Sequence, residues 1–190
     1  MIEQDPSTLH YAYYKAGAKT SQKTAHPESE FGKTDWFFHC QTFFRVASES
    51  QVISPNATKV RVKIKAVRMK LSLPITVLLP QPANKIVEAH ESGHVAICRR
   101  LYDAAVKKTA SDCAGKMLDR VMEAQAPNET VAVQKAVEQA SEELCKSYRD
   151  ATVSRVNRIS AVYDNLMSTS KNRLPVEEAV NEAFQIDEKH

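Results

Sequence analysis

Residues 87–105 read VEAHESGHVAICRRLYDAA. Within them, His90, Glu91, Ser92, Gly93 and His94 set two imidazoles four residues apart, with a carboxylate directly after the first. On a helix, positions i and i+4 share one face a single turn apart. Two imidazoles so spaced bind one Zn²⁺ at about 2.0–2.1 Å each while the helix stays regular. Glu91 is turned about 100° from His90, so it stands beside the cation and not on it. That is the station of a general base, which takes a proton from a water acidified by the metal. The chemistry implied is hydrolysis at a carbonyl, with His90 and His94 as metal ligands and Glu91 as base. Gly93 costs about 1 kcal/mol of helix stability relative to alanine, and its missing side chain is read as room beside the metal. The same five-residue pattern also arises by accident. A helix must therefore carry it, and another element must supply a third ligand.

The elements that would do so divide the chain in two. The first half reads as strands. Leu9, Tyr11 and Tyr13 alternate with His10, Ala12 and Tyr14, and a loop rich in Lys, Ser, Thr and Pro follows over residues 15–33. In the next run Trp36, Phe38, Cys40, Thr42, Phe44 and Val46 share one face of a long strand. A third extended run covers residues 60–79. Its apolar set is Val60, Val62, Ile64 and Ala66, then Val67, Met69, Leu71 and Leu73, so the phase slips by one residue after Ala66 and calls for a bulge or bend. This run, directly ahead of the motif, is the candidate for pairing with an extended substrate by strand addition. Pro74, Pro80 and Pro82 end the β region.

The second half reads as helices. Asn84 is a fair N-cap for a helix to about Lys108, and Ser111–Ala124 is a shorter helix that stops near Pro127. Asn128 can cap a long segment whose apolar stripe runs Val133, Val137, Ala140, Leu144, Tyr148, Val156, Ile159, Tyr163 and Leu166, with a gap near residue 152 that suggests a kink. A short helix, Val176–Phe184, follows Pro175. Strands first and helices second predict an α+β fold. An N-terminal antiparallel sheet of about three or more strands is followed by the motif helix and a helical C-terminal half. The whole, residues 1–190, is expected as one domain, β-rich over 1–82 and helical over 83–190.

Composition narrows the partners. Hydrophobic residues at 43% and charged residues at 26% are ordinary for a globular protein, and a net charge of +3 is too small to argue for nucleic acid. The basic cluster Arg61, Lys63, Lys65, Arg68 and Lys70 alternates with apolar residues and reads as the wet face of a strand. No stretch approaches the ~18 apolar residues of a membrane span, and the polar start from Met1 has no signal peptide. Cys40, Cys98, Cys113 and Cys145 allow one or two disulfides, but their spacings are not those of a zinc knuckle. Cys98 is read as a core thiol or as half a disulfide with Cys145 or Cys113. His10, His26 and His190 fall in expected loops or ends, and His39 on an outward strand face.

Several short features occur in order along the chain: early tyrosines (Tyr11, Tyr13, Tyr14), Gly32-Lys33-Thr34-Asp35-Trp36 leading into a strand, Leu73-Pro74, the HExxH helix, and Tyr163-Asp164 late in a long helix. In this the chain resembles the bacterial family of predicted secreted zinc-dependent proteases, an HExxH domain of unknown function. The resemblance implies a zincin-like α+β fold, bound Zn²⁺, a peptide or protein substrate, and location in the periplasm or outside the cell, the signal peptide having been removed. It also places Tyr163-Asp164 near the site. Asp164 is then the leading third ligand, ahead of Glu138, Glu142 and Glu143, and the Tyr163 hydroxyl a candidate oxyanion donor. A solvated or capping role for Asp164 stays open. The family's later Thr-x-His-Gly has no counterpart, because Met167-Ser168-Thr169-Ser170 lacks the histidine. That departure keeps a second expectation alive, a non-catalytic envelope protein on the same scaffold that binds peptide or a protein partner.

Overall fold

A computed structural model describes residues 1–15, 32–169 and 174–189. Most of the expected 15–33 loop, with His26 and His190, lies outside them. The elements are β1 (Ile2–Gln4), β2 (Thr8–Lys15), β3 (Lys33–Trp36), β4 (His39–Ser54), β5 (Ala57–Ser72), β6 (Pro74–Gln81), α1 (Lys85–Met117), β7 (Val121–Ala126), α2 (Glu129–Thr169) and α3 (Val176–Asp187). The mixed α+β class is as expected.

The strands form two sheets, and each contains a parallel pair, so the single antiparallel sheet is corrected. A period of two dictates which side chains face inward but not which way the neighbouring strand runs. The first run is β2 alone, and the second and third each contribute to both sheets. The second run divides at Phe37–Phe38 into β3 and β4, and the third at Leu73 into β5 and β6.

Contacts divide the chain into two units. One comprises Met1–Asp5, Phe38–Ser72 and Ala105–Thr152; the other comprises Pro6–Phe37, Leu73–Ala104 and Val153–His190. In the first, β5 is the central strand. It pairs antiparallel with β4 along its whole length, antiparallel with β7 over Thr58–Lys63, and parallel with β1 over Met69–Leu71. The phase slip falls just ahead of Ala66 rather than after it: Arg45 pairs with Ala66 and Val46 with Ile64, leaving Lys65 as the extra residue. Val67, Met69 and Leu71 thereby stay buried after Val60, Val62 and Ile64. The basic residues of β5 do face water, where Arg61 meets Glu123, Lys63 meets Asp119, and Lys70 meets Asp5. A core of Val60, Val62, Ala124, Ala132 and Ala136 packs in this unit. A Cys40–Cys145 disulfide joins β4 to α2.

Two helix expectations fail. α1 runs on past Lys108 to Met117, and residues 121–126 form β7 rather than the end of a helix. The helix stops where Asp119 adopts φ 60°. From there the backbone joins the sheet, with Asp119 N–H donating to Ile64 and Ile64 N–H donating to Arg120. Ladder bonds to β5 outweigh the local helical pattern. α2 is unbroken across residue 152, since the Thr152 hydroxyl is buried and donates to the Tyr148 carbonyl within the helix. Its 41 residues span about 60 Å. Asn128 caps it as expected, accepting from Val131 N–H at 3.0 Å.

In the second unit β6 is central, parallel to β2 and antiparallel to β3. Among the described residues β6 is flanked on both sides over Ile75–Leu78, and β5 over Thr58–Lys63 and Met69–Leu71, so those stretches of the 60–79 run offer no free edge to a substrate strand. Asn84 caps α1 by accepting from Ile86 N–H at 2.9 Å. α3 is tied to α2 by Arg155 and Arg158, which both bind Asp187. No helix among the described residues is long and apolar enough to cross a membrane.

Candidate metal centre

The capped start of α1 carries His90, Glu91 and His94 in its first turns. Position 91 belongs to the helix's buried stripe, followed by Val95, Cys98 and Tyr102, so Glu91 is a carboxylate at 5% exposure. His90 and His94 lie off that stripe, with side chains 33% and 15% exposed. Their Nε2 atoms approach to 3.2 Å. Asp164, on the last turns of α2, brings Oδ1 to 3.2 Å from His90 Nε2 and 3.0 Å from His94 Nε2. Among the described residues this is the one group of three such side chains able to hold a metal ion. The expected third ligand is thus beside the two histidines. Glu138 and Glu143 are engaged elsewhere, with Gln134 and Arg120.

The spacing of the three atoms fits a metal. Ligand atoms of a tetrahedral zinc with bonds of about 2.0–2.1 Å stand about 3.3 Å apart, close to the 3.0–3.2 Å here. Hydrogen bonding alone satisfies the triangle poorly. If both imidazoles donate to Oδ1, two N–H groups confront one another across 3.2 Å. A cation draws all three lone pairs to one point.

Charges in the metal-free cluster respond accordingly. The hydrogen bond to Asp164 raises His90 above its ordinary value against the opposing effect of burial, and the charges of Asp164 and Glu91 add to the rise. For Asp164, burial alone would push the carboxyl up. The hydrogen bonds and charges of His90 and His94 together outweigh it and hold the group well below the usual carboxylate range.

Two glycines allow the elements this close. A Cβ on Gly93 would lie 2.2 Å from the Tyr163 hydroxyl oxygen and 2.3 Å from Cζ. The space left by Gly93 is therefore filled by the Tyr163 ring and is not open room beside a metal. Tyr163 is fully buried, and its hydroxyl donates to the His90 carbonyl at 3.0 Å. Burial first, then the charges of Asp164 and Glu91, push that hydroxyl up to about 12. Its hydroxyl ties α2 to the turn of α1 that carries His90 and His94, and it would have to release that bond to reach a substrate.

The second glycine is Gly32, where a Cβ would meet Glu91 Cγ at 2.6 Å and Val87 Cγ1 at 2.7 Å. Next to it, the Thr34 hydroxyl donates to Glu91 Oε2 at 2.6 Å. Sequence reasoning gave neither residue a role at the site. The signal was present, because a carboxylate on a buried helical stripe requires a donor facing it.

Two cavities open on the cluster. One of ≈ 330 Å³ is bordered by His90, Glu91 and Asp164 and walled by Ile86, Val87 and Met167. The other, ≈ 640 Å³ and wider, reaches Trp36, Asn157 and Ser160, whose buried hydroxyl oxygen has no partner among the described residues. Cys98 is a free, buried thiol, the first of its two expected readings, and the alternative pairing with Cys145 or Cys113 does not occur. Burial pushes it up to about 12, which makes it a core group and not a thiolate ligand. His10 lies exposed on β2 rather than in a loop, and His39 is exposed at the start of β4. Comparison with known protein families, with curated proteins and with solved structures finds no match to this chain.

Proposed function

We propose that this chain is a zinc-dependent peptidase in which His90, His94 and Asp164 hold the metal and Glu91 is the general base. The observation that carries the reading is the meeting of three donor atoms, from residues 90, 94 and 164, at the border of two cavities with a buried carboxylate beside them. Two histidines and a carboxylate are an ordinary set for a catalytic zinc and leave a fourth position open. Bound zinc would supply a Lewis acid and acidify a water. The chain's own residues do the rest. Thr34 holds Glu91 by Oε2, which leaves Oε1 to take the proton. Gly32 lets the backbone ahead of β3 close over that carboxylate. Tyr163 fixes the helical turn from which both imidazoles project and, one residue on, the place of Asp164.

Membership of the family of predicted secreted zinc-dependent proteases, a zincin-like arrangement and export to the periplasm or beyond belong to the same proposal. Support comes from contacts between the short features that carry the resemblance: Gly32 and Thr34 pack on Glu91, and Tyr163 packs on Gly93. The Cys40–Cys145 bridge suits an oxidising compartment. One observation favours the non-catalytic alternative, a scaffold that binds peptide without cleaving it: Glu91 is buried and already hydrogen-bonded.

Metal analysis and peptide-library cleavage test both. The expected result is one zinc per chain, lost in His90→Ala, and cleavage that disappears in Glu91→Ala while zinc is retained. A metallated wild type that cleaves nothing selects the binding scaffold. No zinc in the wild type overturns the peptidase reading.

A further inference from the structure

β4 is an edge strand of 16 residues, paired along one side with β5 and, among the described residues, with no strand along the other. Its distal half, Ala47–Ser54, is exposed at every position, with Val52 73% and Ile53 53% exposed. Exposed edges in stable proteins are shortened, bulged, covered or charged, because an open row of N–H and C=O groups invites another strand. Between Thr42 and Val52 the edge has no proline and no extra residue of its own, and its charged side chains are Arg45 and Glu49. The extra residue near its middle, Lys65, is on β5, and the irregularity on β4 itself begins only after Val52.

The charges on this edge have a symmetry of their own. Arg45 and Glu49 point to the same face, two residues either side of Ala47, and neither has an ionic partner among the described residues. The neighbouring cations Arg61 and Arg68 are taken by Glu123 and by Glu3 with the Phe43 ring.

The geometry points to a second copy of this chain as the occupant of the edge, joined by antiparallel β4–β4 pairing about a two-fold axis at Ala47. In an antiparallel pair, facing residues project from the same face. With the axis at Ala47, Arg45 of each copy faces Glu49 of the other, so two Arg45–Glu49 pairs form and each charge gains one partner. Small Ala47 meets itself at the axis, and Thr42 faces Val52. Moving the axis to residue 45 or 49 would set like charges opposite one another, which selects this register over those. The interface is isologous and closes at two copies. It does not depend on the peptidase reading.

Sedimentation equilibrium on the full chain at about 100 µM, a concentration that reveals even weak specific pairs, tests it. The wild type is expected to dimerise. Arg45→Glu and Glu49→Arg should each weaken the dimer at least about tenfold, by placing like charges opposite. Mixed in equal amounts, those two variants should form a heterodimer as tight as the wild type or tighter, and the double variant R45E/E49R should recover the homodimer. Circular dichroism controls for folding. A wild type that stays monomeric, single variants that dimerise unchanged, or a mixture that fails to pair would each overturn the inference.

Discussion

Replacing Gly93 by alanine sets two opposed effects against each other at the turn that carries His90 and His94. In an open helix the change gains about 1 kcal/mol, because glycine loses more backbone freedom on folding. Here the new Cβ would lie 2.2 and 2.3 Å from Oη and Cζ of Tyr163, where carbon contacts normally rest at about 3.5–4.0 Å. The ring or the helix must yield by more than about 1 Å. Overpacking of this kind costs about 1–3 kcal/mol. Turning the ring also gives up the Tyr163–His90 hydrogen bond, worth about 1 kcal/mol. The expected net loss is about 1–3 kcal/mol. Tyr163→Leu lacks both crowding atoms. In that background Gly93→Ala should change sign and stabilise by up to about 1 kcal/mol, a coupling of about 2–4 kcal/mol. Urea unfolding of the four metal-free proteins measures it. Because Asp164 follows Tyr163 directly, Gly93→Ala should also weaken zinc binding about tenfold or more, read by competition with a chromogenic chelator. Gly93→Ala that stabilises the wild-type background, or a coupling near zero, would refute the idea that the glycine makes room for Tyr163.

Three further outcomes follow from the same geometry. Thr34→Ala removes the donor to a buried carboxylate and should cost about 1.5–3 kcal/mol in thermal or urea unfolding, with zinc content unchanged and stability largely kept by Thr34→Ser. Cys40→Ser breaks a bridge between residues 105 apart, and the loss should be about 2–5 kcal/mol; reductant should lower the wild type's unfolding midpoint alike and leave the variant's unmoved. The third concerns pH in the metal-free protein. Asp164 is held below its ordinary 3.8, so its contribution is present above that value and lost as pH falls through its folded value. His90 is raised above 6.5, so its contribution is full below 6.5 and lost as pH rises through its folded value. Asp164→Asn should therefore destabilise most between about pH 4 and 6.5, and a penalty constant from pH 4 to 9 in unfolding titrations would count against the cluster.

What the sequence by itself determined were features with a local cause. The caps Asn84 and Asn128, the apolar stripe of α2, the inward face of β4 and the slip beside Ala66 all follow from side-chain periodicity and from hydrogen bonds a few residues long. So did the placing of His90 and His94 on one face of a helix, which needs nothing beyond 3.6 residues per turn. The tertiary structure decided which partner each element meets. Residues 121–126 carry a usable helical pattern and become a strand because β5 offers ladder bonds there. Of the carboxylates along α2, Asp164 reaches the imidazoles because the Tyr163 ring seats on Gly93, a contact across 70 residues of chain. That the same glycine admits a ring instead of leaving a space could not be read from HESGH, since an absent side chain has no periodicity and its meaning lies in what packs against it.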